Sequence, residues 1–291
     1  MNATRASFSS RARTWLLLAA LTALFIGIGA LLGGAFLWLF VAFSIFMNVA
    51  AYWLSDSFAI RAARAKPVSE EEAPQLHKIV GELAELYGLP KPRVFMIPSD
   101  QPNAFATGRN AKHGAVAVTQ GLMQAMPEDQ VRGVLAHEFA HIKNRDILVS
   151  SVAAMIAGAI SAIGNIFFWT ALFGGDDDNP VGAAGAILMM VIGPLAAAML
   201  QLGVSRQREY LADATAARML GSGKSLADAL GTLERGAKAM PMKVNPATEA
   251  LFIVTPLSSK GMAGLFSTHP PLEERIKRLH AYDAAQGLHY G

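Results

Sequence analysis

Val131-Arg132-Gly133-Val134-Leu135-Ala136-His137-Glu138-Phe139-Ala140-His141 contains H-E-x-x-H, and the spacing has a mechanical reason. On an α-helix, residues four apart share a face, so the imidazoles of His137 and His141 can converge on one ion. Glu138 stands beside that ion without being a ligand, where a carboxylate can take a proton from the attacking water. The flanks agree with a helix. Pro127 suits its first turn, Glu128 and Asp129 lie near the positive end of the dipole, and Leu135, Phe139 and Ala140 can pack beneath the site. The plain alternative is a surface helix with two ordinary histidines, so a third ligand is needed. A structural zinc site closes with four protein ligands, usually including thiolates, and this chain has no cysteine. A catalytic site needs three ligands and an open position.

Ser205-Arg206-Gln207-Arg208-Glu209-Tyr210-Leu211-Ala212-Asp213 reads as a second helix with Glu209 and Asp213 on one face. Glu209 completes a His-His-Glu set for Zn2+, one ion per chain. Asp213, a turn behind, can accept the N–H of a ligand histidine and fix its tautomer. The bland alternative is an exposed helix laced with charge pairs.

A third block, Ser267-Thr268-His269-Pro270-Pro271-Leu272-Glu273-Glu274-Arg275-Ile276, opens a C-terminal helix. Together the three blocks resemble the HtpX family of membrane metalloproteases, relatives of the CAAX prenyl proteases and of the Oma-type proteases, and the likeness runs along nearly the whole chain. The resemblance implies a zincin-like (gluzincin) fold and quality control of membrane proteins at the bacterial inner membrane, including stress response. In it His269 and Arg275 match positions facing the active site. Either can donate to the oxyanion of a tetrahedral intermediate, unless they are a loop histidine and a structural arginine. Asn103-Ala104-Phe105-Ala106 resembles the family segment that lines the cleft, where an edge strand can pair with an extended substrate. An ordinary core strand remains the other reading.

The composition is 53% hydrophobic and 16% charged, with a mean hydropathy of +0.33. That is too apolar for an ordinary soluble enzyme and points to a lipid bilayer. The net charge is +3, but the basic residues flank apolar segments rather than forming a separate arm, which argues against nucleic acid.

No charge occurs from Thr14 to Ser55. As one helix this stretch would run about 63 Å, twice the hydrocarbon thickness of a bilayer. Two spans, about 15–33 and 36–54, turning at Gly33-Gly34, fit better than a cleaved signal peptide. Arg5, Arg11 and Arg13 precede them and Arg61, Arg64 and Lys66 follow, so both ends should be cytoplasmic. Ile147–Phe173 and Val181–Val204 are again uncharged, separated by Asp176-Asp177-Asp178. This pattern predicts a second membrane hairpin, about 147–204, with the metal helix running straight toward it. A hairpin buried in a cytoplasmic domain, or entering the bilayer only partly, is the rival.

The expected architecture is mainly α with a small β-sheet. Residues 1–56 form an N-terminal hairpin and 57–291 a cytoplasmic protease domain interrupted by the second hairpin, on an anchor of about four transmembrane helices. A helix is predicted over 69–88, where Pro74 leaves the start open, and strands over Arg93–Ile97, Asn103–Thr107 and Gly114–Thr119. Ser225-Leu226-Ala227-Asp228 resembles a capping box, His113 reads as solvated, and 240–266 has no assignment. The functional expectation is a zinc endopeptidase acting on unfolded or membrane-protein polypeptides. The alternatives are a prenyl-protein protease, for which the chain is short, and an inactive zinc-binding scaffold or holdase, which has no use for Glu138.

Overall fold

Two long helices open the chain, α1 (Ala3–Leu32) and α2 (Gly34–Ala62), packed against each other. The computed structural model describes residues 3–32, 34–158, 205–240, 242, 246–254 and 270–288. The acidic loop 176–180, the uncharged stretch 181–204, His269 and much of 240–266 lie outside the described residues.

Helix α1 ends at Leu32 and α2 begins at Gly34, and both helices outrun the apolar stretch. Helix α2 passes residue 56 without a break, and its last turns enter the folded domain. Asp56 pairs with Arg93 at 2.7 Å, and Ala59, Ile60 and Ala63 pack on the sheet. Trp38, Leu39, Ile45, Phe46 and Trp53 on α2 are exposed. Among the described residues, one stretch, Leu37–Ala62, is long and apolar enough to cross a membrane. Ala12–Gly27 and Ile147–Gly158 are apolar but shorter. About four spans are expected from sequence; this is the one the described residues supply.

Strands β1 (Lys66–Pro67), β2 (Arg93–Ile97), β3 (Ala104–Thr107) and β4 (Ala115–Thr119) form a mixed sheet in the order β1-β2-β4-β3. The central β2–β4 pair is parallel and both outer pairs are antiparallel. Both faces are covered. Val94, Ala104, Ala106, Val116 and Val118 face the helical core, while Phe95, Phe105, Ala115 and Ala117 face α2. That is why β4 carries apolar residues at every position rather than in alternation.

Helix α3 (Pro74–Tyr87) starts at the proline, which takes the first turn, and stops at Gly88, whose φ of 64° only glycine adopts cheaply. The acidic run before it folds separately, Ser69 and Glu72 exchanging hydrogen bonds. After the short α4 (Gln120–Ala125) comes α5 (Glu128–Lys143), which carries H-E-x-x-H.

Helix α5 does not run on into the apolar stretch that follows it. It ends at Lys143, Arg145 takes a φ of +61°, and a new helix, α6 (Ile147–Gly158), begins. Residues Val149, Val152 and Ile156 of α6 pack on Leu17, Leu21 and Phe25 of α1. Helices α7 (Arg206–Leu220), α8 (Lys224–Ala239), α9 (Pro246–Glu249) and α10 (Leu272–Ala285) complete the described fold. The expected capping box at Ser225 is not formed. Helix α8 starts a residue earlier, and Asp283 of α10 accepts the Gly223 N–H at 2.7 Å instead. Helix α5 packs on both α7 and α8, and that packing positions the site.

Candidate metal centre

Helical spacing puts His137, Glu138 and His141 on the buried side of α5, and α7 crosses it so that Glu209 meets both imidazoles. His141 Nε2 lies 3.1 Å from His137 Nε2. The Glu209 carboxylate lies 3.5 Å from His137 Nε2 and 3.4 Å from His141 Nε2. For bonds of about 2.0–2.1 Å, tetrahedral geometry sets neighbouring ligand atoms about 3.3 Å apart. The imidazole pair lies close to that edge, each ring nitrogen faces a different oxygen of Glu209, and with one ligand atom per residue all three lie within 4.8 Å of one another.

The hydrogen bonds behind the ligands fix their tautomers. His137 Nδ1 faces Asp213 at 2.9 Å, and His141 Nδ1 faces Asp146 at 3.3 Å. A carboxylate at Nδ1 draws the proton there and leaves Nε2 as a lone pair. Two lone pairs and a carboxylate then point at one spot, an arrangement that a bound cation or a proton on one imidazole relieves. The acidic surroundings make the same demand. Burial pulls His141 down, yet Glu209 and Asp146 outweigh it and push the ring up to about 10. The donor set fits a divalent metal with imidazole and carboxylate ligands.

Glu138 is buried beside this centre. Burial raises its carboxyl above the usual range, opposed by both histidines and by a hydrogen bond from the Ala106 N–H. A cavity of about 30 Å³ opens in front of it, lined by Ala106, Glu138, Glu209, Leu251 and Phe252 among others. That is room for about two water molecules.

Arg275 lies behind the ligands and is fully buried. Its Nε and Nη2 donate to Asp213 at 2.8 and 2.7 Å, and the cavity lining does not include it. Burial opposes ionisation of Asp213, but the Arg275 charge and its bonds hold the carboxyl below its ordinary value.

Of the residues singled out in the sequence, His137, Glu138, His141, Glu209 and Asp213 come together here. Asn103 and Ala104–Ala106 form the start of the outermost strand, β3, beside Glu138. His113 is exposed and bonded to Asn110, far from the cavity lining. Sequence reasoning missed Asp146 and Arg208, both buried and 3.9 Å apart. Asp146 follows His141 by five residues, off the shared face of a continuous helix. Only the turn at Arg145 folds it back, its N–H donating to the His141 carbonyl at 2.9 Å.

Residues 70–283 match the model of peptidase family M48. The chain belongs to that family. Proteins named protease HtpX homolog are similar throughout. The one from Pelotomaculum thermopropionicum is 52% identical over 274 residues, 92% of this chain and 98% of its own. That from Syntrophobacter fumaroxidans is 49% identical over 94% and 99%, and that from Pyrococcus furiosus 47% over 95% and 97%. The crystal structure of S. mikatae Ste24p shares the fold with a TM-score of 0.51 at 22% identity, over 93% of this chain and 64% of that one. The M48 assignment makes this chain a metalloprotease, and α2 gives it a segment able to cross a membrane.

Proposed function

We propose that this M48 protease is a zinc endopeptidase of the bacterial cytoplasmic membrane, cutting unfolded or damaged membrane proteins on the cytoplasmic side. One observation carries the reading: Glu138 shares a cavity with three converging ligand atoms, from His137, His141 and Glu209, that lie within 4.8 Å of one another. A bound zinc ion would supply Lewis acidity, lowering the pKa of a water and polarising the scissile carbonyl.

The protein's own groups do the rest. Glu138 accepts a proton from the attacking water and returns it to the leaving amine, and its raised pKa suits a group that must hold and release that proton. Asp213 and Asp146 hold the two imidazoles in the ligating tautomer. Arg275 is read as the clamp on Asp213 rather than as an oxyanion donor, because its guanidinium already serves that carboxylate. The oxyanion role implied by the family resemblance is left to His269.

A membrane setting fits the basic flanks at Arg61 and Arg64, the exposed aromatics of α2 and the direct passage of that helix into the sheet. The second hairpin is proposed to start at α6, whose first residue follows Asp146. The site would then lie close to the membrane surface, within reach of cytoplasmic loops of other membrane proteins.

The test is casein cleavage by the detergent-solubilised full chain, with chelator and after zinc is restored. Cleavage should vanish and return. Glu138→Gln should keep its zinc and lose cleavage by at least about a hundredfold. A Glu138→Gln protein as active as wild type would remove the assigned base, and chelator-insensitive cleavage would remove the metal.

A further inference from the structure

Strand β3 is the outermost strand of the sheet, and an extended polypeptide adding to it would pair with the backbone groups on its outer side. The register says which groups those are. The Thr119 N–H donates to the Asn103 carbonyl at 3.0 Å, so Asn103 and its alternates Phe105 and Thr107 face β4. Ala104 and Ala106 turn their N–H and C=O groups outward.

Two of those four outward groups, both on Ala104, already have partners within the chain. The Ala104 carbonyl accepts the Ile253 N–H at 3.1 Å. The Ala104 N–H donates to Asn103 Oδ1 at 3.1 Å, and Ala106 lines the cavity beside Glu138. The Asn103 side chain also donates to the Val254 carbonyl at 2.7 Å. The segment making these bonds is well seated. Phe252 meets the Phe105 ring edge-on at 5.2 Å, and the Ile253 carbonyl accepts from Arg275 Nη1 at 3.4 Å. Leu251, Phe252 and Ile253 line the cavity in front of Glu138. A four-residue peptide strand is about 13 Å long, and a cavity of about 30 Å³ has no room for it.

We infer that residues 251–254 are an internal occupant of the substrate line, holding the outer edge of β3 through Ile253 and Asn103, and that they must move aside before an extended polypeptide reaches Glu138. The inference rests on the protease reading above and adds its regulation. Opening leaves the metal support in place, because the Asp213 bonds use Nε and Nη2 of Arg275 and not the nitrogen that holds Ile253. It also selects the substrate. An unfolded segment offers a free backbone N–H to replace that of Ile253, whereas a folded one keeps its N–H groups paired. Apparent affinity is lowered by the fraction of molecules in which the segment is closed.

The experiment uses the zinc-loaded full chain in detergent, with casein as probe. The chain has no cysteine, so Phe105→Cys with Phe252→Cys gives one internal lock. Cleavage should be lost on oxidation and regained on reduction at unchanged zinc content; equal cleavage in both states overturns the inference. Phe252→Ala, which removes the Phe105 contact together with the rest of that ring's packing, should lower the KM for casein about two- to tenfold at little-changed kcat. An unchanged or raised KM overturns it as well. In the Glu138→Gln protein, which does not depend on turnover, casein should speed hydrogen exchange over 251–254 and slow it over 104–106. Slower exchange in both segments would make 251–254 a fixed wall. If wild type shows no chelator-sensitive cleavage, the protease reading fails by itself, and the exchange result still decides the segment's part.

Discussion

Each ligand imidazole is backed by its own buried carboxylate with a guanidinium behind it: Asp213 and Arg275 behind His137, Asp146 and Arg208 behind His141. Four charged side chains are thus kept out of water, which is tolerable only when they are paired. Replacing Asp213 by Asn, or Asp146 by Ala, should weaken zinc binding about 10- to 100-fold, as orienting partners of ligand histidines do; a competition titration with a metal dye reads this directly. Asp213→Ala should also destabilise the fold by about 3–5 kcal/mol, because it strands a buried guanidinium. The pH dependence has a definite sign. The folded pKa of Asp213 lies below its ordinary 3.8, so its contribution is complete above that value and fades as pH falls through the folded one. Melting temperatures measured in acid should therefore drop more steeply for wild type than for Asp213→Asn.

At the scale of elements, the site depends on how closely α5 can approach its neighbours. Gly133 allows the start of α8 to touch it: a Cβ there would stand 2.7 Å from the Leu226 backbone nitrogen. Gly133→Ala should push the two helices apart and cost about 1–3 kcal/mol, the usual range for overpacking. A denaturant melt that matched wild type would show that the helices can slide without loss. The break between α5 and α6 is the other decisive junction. The left-handed Arg145 turns the chain so that Asp146 reaches His141 while α6 leaves to pack on α1. The metal site and the α1–α6 cluster therefore meet at this turn. Between α1 and α2, Asn48 donates to Thr22 at 2.6 Å.

For the whole molecule, the ion is expected to be part of the fold. Zinc at about a hundred times its Kd should stabilise the native state by about 2.7 kcal/mol. The thermal midpoint should rise with added zinc in wild type and fail to rise in Glu209→Ala. A zinc response that survives in Glu209→Ala would place the third ligand elsewhere.

The local pattern was enough to read the H-E-x-x-H helix, the Glu209–Asp213 face and three of the four strands, because each depends on residues within a turn or two. Gly88 announces the end of α3 through its own backbone chemistry, whereas the start at Pro74 is left open by the sequence and is set in the fold. Asp146 was not legible, since its approach to His141 needs a left-handed residue at 145 that no periodicity announces. Nor was the contact of Ile253 and Val254 with β3, which joins residues 151 positions apart in the case of Asn103 and Val254. Sequence by itself determined which side chains could bind a metal, because helical spacing is a property of the chain alone. The fold decided what stands behind those ligands and what lies across the substrate edge, because buried charges and strand edges take whichever partners packing brings to them.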